Sequence, residues 1–193
     1  MKICIFGAAS NKIDNKYITA VEKLGEYLAE RGHSLVFGAG ANGLMGAAAR
    51  GFKAKKGKIY GVIPSFFKDE CVEVIYTECD ELIYTKTMSQ RKAKMEDLAD
   101  AFIIVPGGIG TFEEFYEVLT LKQLGRHTKP IALYDIDGYY DKLEEFMQYS
   151  MEEGFINEVC KEIYACAETP EKVLDYLEND IPVKRSVRDL KNG

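Results

Sequence analysis

The chain predicts an α/β protein with a doubly wound, mostly parallel sheet and helices on both faces. Short apolar runs alternate along it with longer stretches of helical period. That alternation implies right-handed crossovers between parallel strands, hence a sheet covered on both sides. Two glycine-rich segments, 38–43 and 107–110, directly follow apolar runs. Sheets of this class bind ligands at such places, beyond the carboxyl ends of their strands.

Lys2–Phe6 reads as the first strand. From Asn15 to Arg31 the apolar positions Tyr17, Val21, Leu24 and Leu28 recur at helical spacing. Gly32 turns the chain into a second strand, Ser34–Phe37, and Gly43–Lys56 is a helix rich in small residues, suited to close packing on a sheet. "KIYGVIP" is a third strand stopped by Pro64, residues 65–81 are ambiguous, and "ELIYTKT" is a short strand. Thr87–Leu98 is a helix, Ala101–Val105 a buried strand and Thr111–Leu124 a helix. Pro130–Tyr134 is a strand, Gly138–Glu153 a helix, and Pro170–Leu177 a last helix.

With 193 residues, 47% hydrophobic and 29% charged, the chain can bury a sizeable core in one domain over 1–181. The polar tail 182–193 carries Lys184, Arg185, Arg188 and Lys191 and reads as a frayed end. A net charge of −6 without a long basic stripe disfavours nucleic-acid binding. The N-terminus has the form of a strand rather than a signal peptide, and no run reaches membrane-spanning length. Five cysteines without CxxC spacing fit reduced thiols in the cytoplasm. The two histidines, His33 and His127, lie at no ligand spacing, so no metal is expected.

"GAGANG", 38–43, matches GxGxxG between a strand and a helix. A dinucleotide site also needs an acid about twenty positions on, and here none follows until Asp69. A phosphate or ribose contact without a dinucleotide, or a tight packing turn, are the readings left. In "VPGGIGT", Gly107, Gly108 and Gly110 let backbone approach a ligand closely. The following helix turns unpaired N–H groups toward that space, which suits a phosphate. No GK[ST] follows, so ATP hydrolysis loses support.

Thr111 and Glu114 fit a capping box. The functional alternative is that Glu114 borders the bound anion, where its charge would stabilise an oxocarbenium-like transition state such as that of N-glycosidic cleavage. Thr87 and Gln90 fit a second capping box, placing Arg91 and Lys92 at a helix start. Lys92 has Glu96 at i+4 as an ion-pair partner, whereas Arg91 has no local acid. It is either a solvated surface residue or a fork for a phosphate, a sugar or a carboxylate such as Glu114.

"MSQRKAKM" followed by "PGGIGTFEE" resembles the LOG family, the cytokinin riboside 5'-monophosphate phosphoribohydrolases formerly labelled lysine decarboxylases. "VFGAGANGLMG", "GVIP", "QLGRHTKPIALYDIDGYY" and "EEGFI" occur in the family's order, so the likeness spans most of the chain. The resemblance implies a Rossmann-like fold, a homodimer, a purine nucleoside 5'-monophosphate in the cleft and no cofactor. Arg91 and Glu114 match the catalytic pair, and Arg91 also a substrate contact. Lys92, Gly107, Gly108, Gly110, Thr111, Glu113 and Thr120 match substrate-contacting positions. Ser10 is a further contact implied by position. Ala39 replaces a common glycine and would add a methyl beside the ligand loop. Segment 65–86 departs from the family, with Glu70 as its candidate base contact.

The expected function is hydrolysis of AMP or an N6-substituted relative to free base and ribose 5-phosphate. A nucleotide-binding or carrier protein of the same fold is the alternative. A decarboxylase is weaker, because no lysine stands out as a Schiff-base residue.

Overall fold

The computed structural model describes residues 1–67 and 74–180. The tail 182–193 and Glu70 lie outside the described residues. The strands are β1 (Lys2–Phe6), β2 (Ser34–Phe37), β3 (Ile59–Pro64), β4 (Glu81–Thr85), β5 (Ala101–Ile104), β6 (Ile131–Tyr134) and β7 (Ala165–Ala167). The helices are α1 (Asn15–Glu30), α2 (Gly43–Ala54), α3 (Met88–Leu98), α4 (Ile109–Gln123), α5 (Asp141–Glu152) and α6 (Pro170–Asn179). All seven strands pair in parallel in one sheet, order β4-β3-β2-β1-β5-β6-β7. The doubly wound α/β expectation is met.

The two-residue side-chain period divides each central strand between two cores. Ile3 and Ile5 of β1 join Leu35, Phe37, Ile103 and Ala132 beneath α1, α2 and α6. Cys4 and Phe6 point the other way, with Phe102, Ile104, Ile131 and Leu133, against Met95 of α3, Phe115 and Val118 of α4 and Met147 of α5. Register fixes this sorting: Ile5 pairs with Ile103 and Cys4 with Phe102, so a one-residue slip would exchange the two sets.

The small residues of α2 serve a closer contact than the sheet face expected of them. A Cβ at Gly51 would come within 2.1 Å of the Glu22 carbonyl, and one at Gly25 within 2.6 Å of the Ala48 carbonyl. Glycine at both points therefore lets α1 and α2 pack backbone to backbone.

Element ends move by a few residues where caps decide. Asp14 caps α1 through the Lys16 amide, and Thr169 caps α6 through the Lys172 amide. Helix α2 stops at Ala54, short of Lys56, because Lys56 turns left-handed at φ 58°. Strand β7, the three residues Ala-Cys-Ala, and a 3-10 turn over Glu158–Glu162 were not expected. Three small residues give no period to detect; β6 alone pairs them into a strand. Within the ambiguous stretch, Ile75 makes an antiparallel bridge with Gly40.

Strand order reverses between β1 and β5: the chain winds outward to β4, then returns to the other side of β1. The loops leaving β1 and β5 diverge there, and such a point is where open α/β sheets form their ligand crevice.

Candidate functional site

A cleft of about 540 Å³ occupies this switch point. Gly7 to Ser10, after β1, form one wall. Met88, Ser89, Arg91 and Lys92 from the start of α3 form another, and Gly108, Gly110, Thr111, Glu113 and Glu114 from the start of α4 a third. Met45 and Phe67 complete it. Arg91, Lys92, Gly108, Gly110, Thr111, Glu113 and Glu114 are thus brought together, as is Ser10. Gly107 lies just beneath them, buried. Thr120 is exposed on α4 and is not part of the cleft wall; six residues beyond Glu114, it lies roughly 9 Å further along the helix.

Helix α4 begins three residues earlier than the capping box required, with Gly108 rather than Thr111 as its N-cap. Thr111 is inside the first turn and buried, and the Phe112 amide donates to the Gly108 carbonyl at 3.0 Å. Glu114 therefore does not close a capping box with Thr111. The early start leaves the amides of Ile109, Gly110 and Thr111 without intrahelical acceptors, at the positive end of the helix dipole. No protein atom lies within 4 Å of a Cβ built on Gly108 or Gly110, whereas one on Gly107 would meet the Thr111 hydroxyl at 2.1 Å. Gly107 is a packing glycine; the other two keep open space for something outside the protein.

Gly107 and Gly108 should separate on substitution. Gly107→Ala is expected to lower thermal stability by roughly 1–3 kcal/mol through overpacking. Gly108→Ala is expected to leave the melting temperature unchanged while weakening phosphate binding. Thermal denaturation beside a titration with inorganic phosphate checks both.

Burial pushes the Glu114 carboxyl up to about 7. The Arg91 charge opposes that shift and the neighbouring Glu113 adds to it. At neutral pH Glu114 is thus poised between acid and base, in the same cleft as the open amides.

Arg91 is not a solvated surface residue: only 5% of it is exposed. Its Nη2 donates to the Gly38 carbonyl at 2.6 Å, its Nε to the Val62 carbonyl at 3.1 Å, and its guanidinium lies 5.4 Å from the centre of the Phe67 ring. Thr87 caps α3 as expected, its hydroxyl accepting from the Gln90 amide at 3.1 Å. The reciprocal half of that box is absent, since Gln90 Oε1 accepts from the Lys86 amide instead.

Lys92 pairs across the helices rather than along its own. It bonds to Glu113 and lies 2.7 Å from Glu117 Oε2, not on Glu96. Burial alone would lower its pKa, but these two carboxylates outweigh it and hold the ammonium charged. Without that partner, half-buried Glu96 is pushed up to about 7 by desolvation, with Glu117 adding repulsion. Adjacent Glu113 and Glu114 face different ways because one helical step is 100°. Glu113 serves Lys92 and Glu114 serves the cleft.

The first glycine segment has another purpose than the phosphate or ribose contact expected of it. At the start of α2, the Gly43 amide is taken by Asn11 Oδ1, those of Leu44 and Met45 by the Ala8 carbonyl, and that of Gly46 by the Asn42 carbonyl. Those four helix-start amides are already taken and not open to an anion. Gly38 instead seats Arg91: a Cβ on it would lie 1.7 Å from Nη2. Ala39 is left-handed at φ 58°, yet its methyl is fully buried in the core rather than beside the ligand loop.

Two residues that the sequence did not single out support the glycine loop. The Tyr139 hydroxyl donates to the Gly107 carbonyl at 2.5 Å and the Tyr140 hydroxyl to the Val105 carbonyl at 2.9 Å. No spacing signal connects them to a loop thirty-two residues upstream.

Among the described residues, no helix is long and apolar enough to cross a membrane, and no three His, Cys, Asp or Glu side chains converge on a metal position.

Residues 45–177 match a family described as possible lysine decarboxylases. The chain is 39% identical over 181 residues to the cytokinin riboside 5'-monophosphate phosphoribohydrolase LOG2 of Arabidopsis thaliana, covering 94% of this chain and 84% of that one. It is 38% identical over 190 residues to the probable cytokinin riboside 5'-monophosphate phosphoribohydrolase LOGL5 of Oryza sativa subsp. japonica, covering 98% and 76%. Among solved structures, the molybdenum cofactor carrier protein of Chlamydomonas reinhardtii shares the fold, with a TM-score of 0.69, 22% identity and coverage of 92% and 96%. Matching the family model over residues 45–177 and 38–39% identical to those plant proteins over more than nine-tenths of its length, the chain belongs to the LOG family.

Proposed function

We propose that this protein hydrolyses the N-glycosidic bond of a purine nucleoside 5'-monophosphate, AMP or an N6-substituted relative, to free base and ribose 5-phosphate. The observation that carries the reading is Glu114, a carboxyl near pKa 7 in the same cleft as a helix start with open amides. The names of the plant relatives support the same chemistry.

Amides of 108–111 hold the phosphate, as a helix N-terminus does. Held by its phosphate, the ribose lies near Glu114, whose carboxylate stabilises positive charge growing at C1' as the bond to the base breaks. The bonding pair leaves with the base; water adds its oxygen to C1', and one of its protons ends on the base. Arg91, anchored on two carbonyls, supplies a fixed charge that keeps Glu114 ionisable near neutrality. Lys92 and Glu113 complete the polar wall, with Thr120 outside it in the single chain.

The cleft lysine does not support amino-acid decarboxylation. Lys92 is held charged between two carboxylates, whereas a Schiff-base lysine must lose its proton.

The same reading makes the protein a cytoplasmic homodimer whose single α/β domain spans 1–181. The described cysteines, Cys4, Cys79, Cys160 and Cys166, are free thiols, which suits a reducing compartment. Exposed Phe146, Tyr149 and Phe155 offer apolar surface for a partner. Sedimentation should give twice the chain mass.

Chromatography of products from a panel of nucleoside monophosphates tests the activity. Adenine or an N6-substituted adenine should appear together with ribose 5-phosphate. Tight AMP binding with no base released on prolonged incubation would leave a binding or carrier protein.

A further inference from the structure

We propose that Tyr139 is a positioning residue for the phosphate: its hydroxyl locks the Gly107–Gly108 peptide so that the Gly108 amide faces the cleft. The proposal rests on the phosphate-bearing substrate proposed above.

The carbonyls of the loop account for its shape. That of Val105 accepts from the Tyr140 hydroxyl, that of Pro106 from the Ala8 amide at 3.2 Å, that of Gly107 from the Tyr139 hydroxyl, and that of Gly108 from the Phe112 amide. Four consecutive carbonyls are therefore held by protein donors from three places in the chain: Ala8, Phe112 and the adjacent pair Tyr139 and Tyr140. In a trans peptide the C=O and the following N–H point in opposite directions. Pro106 has no N–H, so fixing the carbonyls of 106 to 108 toward the protein turns the amides of Gly107, Gly108 and Ile109 away from them, and a run of such amides makes an anion-binding concavity.

One peptide in this run has weak support from its own residues. Gly107 and Gly108 flank it, and neither has a Cβ to resist rotation of the peptide plane. The Tyr139 hydroxyl, at 2.5 Å, is what holds it. Rotation would present the Gly107 carbonyl to the cleft in place of the Gly108 amide, and a carbonyl dipole repels an anion.

Tyr139 is itself held from outside the loop. Its ring packs edge-on against Tyr17 of α1 and against Tyr140, with centroids 6.0 and 5.1 Å away. Tyr139 is 37% exposed, so the core does not depend on it. The neighbouring ion pair of Lys16 with Asp137 ties the same turn to α1. Tyr139→Phe therefore keeps these ring contacts and removes only the donor.

Calorimetric titration with ribose 5-phosphate, which needs no turnover, reads the effect directly. Tyr139→Phe should bind it about tenfold more weakly than the wild type, the scale of one hydrogen-bonded group acting on a charge. Its melting temperature should be unchanged. For AMP hydrolysis the loss should fall on KM with kcat nearly preserved, because the phosphate is gripped alike in the ground and transition states. Adenosine, which has no phosphate, should bind wild type and variant equally. Tyr84→Phe, exposed on β4 and outside the cleft wall, is the control. Unchanged ribose 5-phosphate affinity in Tyr139→Phe, or an equal loss for adenosine, would overturn the proposal. Wild-type protein that releases no base from AMP yet shows the tenfold difference would sink the hydrolase reading and keep the clamp.

Discussion

Glu114→Gln is expected to release base at least about a thousandfold more slowly than the wild type while remaining folded, a loss of roughly 4 kcal/mol in transition-state stabilisation. The amide has nearly the size and hydrogen-bonding reach of the carboxyl but cannot carry the negative charge that faces the developing sugar cation. Glu113 should not substitute for it, since it is turned toward Lys92 and bonded there. Steady-state assays of product release check the rate.

The same substitution should make the protein more stable above neutral pH. Burial raises the Glu114 pKa from 4.5 to about 7. Between those values the folded state binds the proton more tightly than the unfolded chain does, so this group's contribution to stability falls as pH rises. It is fully present below about 4.5 and lost on passing through about 7. Above that pH the wild type carries a destabilisation of about 1–3 kcal/mol, which glutamine avoids. Urea unfolding at pH 5 and pH 8 should show a gain for Glu114→Gln at pH 8 that shrinks at pH 5. If the ionised form is the active one, wild-type kcat/KM should climb as pH rises toward 7 and then level off. Wild-type turnover in Glu114→Gln would remove the carboxylate from the mechanism.

Gly38→Ala should be nearly as damaging, although Gly38 is not part of the cleft wall. The new methyl would overlap Arg91 Nη2 at 1.7 Å. That atom is the end of a long side chain, so the guanidinium yields rather than the strand. In moving it gives up its bonds to the Gly38 and Val62 carbonyls and shifts the positive charge beside Glu114. A displacement of about 1 Å at a reacting centre costs on the order of a hundredfold in rate. Weaker opposition from Arg91 should also move the Glu114 titration to higher pH. Kinetic pH profiles with a melting curve distinguish this from simple unfolding: a folded variant with a slowed, upshifted profile is expected. Wild-type kinetics would show that the position of Arg91 does not matter.

These two predictions draw on different levels of information. Arg91 and Glu114 could be named from the chain because local spacing exposes an arginine with no acid at i±3 or i±4, and a carboxylate in the first turns after a glycine loop. What Arg91 touches was not legible. Its partners are backbone carbonyls of Gly38 and Val62, fifty-three and twenty-nine residues away, and every residue has a carbonyl. For the same reason "GAGANG" looked like a ligand loop. Its helix-start amides are consumed by Asn11 and Ala8 of the preceding loop, and a sequence pattern cannot say whether a donor is already occupied. Lys92 shows the reverse error: Glu96 at i+4 was the nearest local partner, but Glu113 and Glu117 on the facing helix were closer in space.

Sequence alone determined the α/β class, the order of strands and helices apart from β7, and two of the segments that line the cleft, 88–92 and 107–114, because periods of 2 and 3.6 and the positions of glycine and proline are local properties. Tertiary structure alone decided where α4 begins, which amides stay open, and how far burial moves Glu114. Those depend on which groups from distant parts of the chain share each hydrogen bond and exclude water, and such competition is settled only when the elements pack.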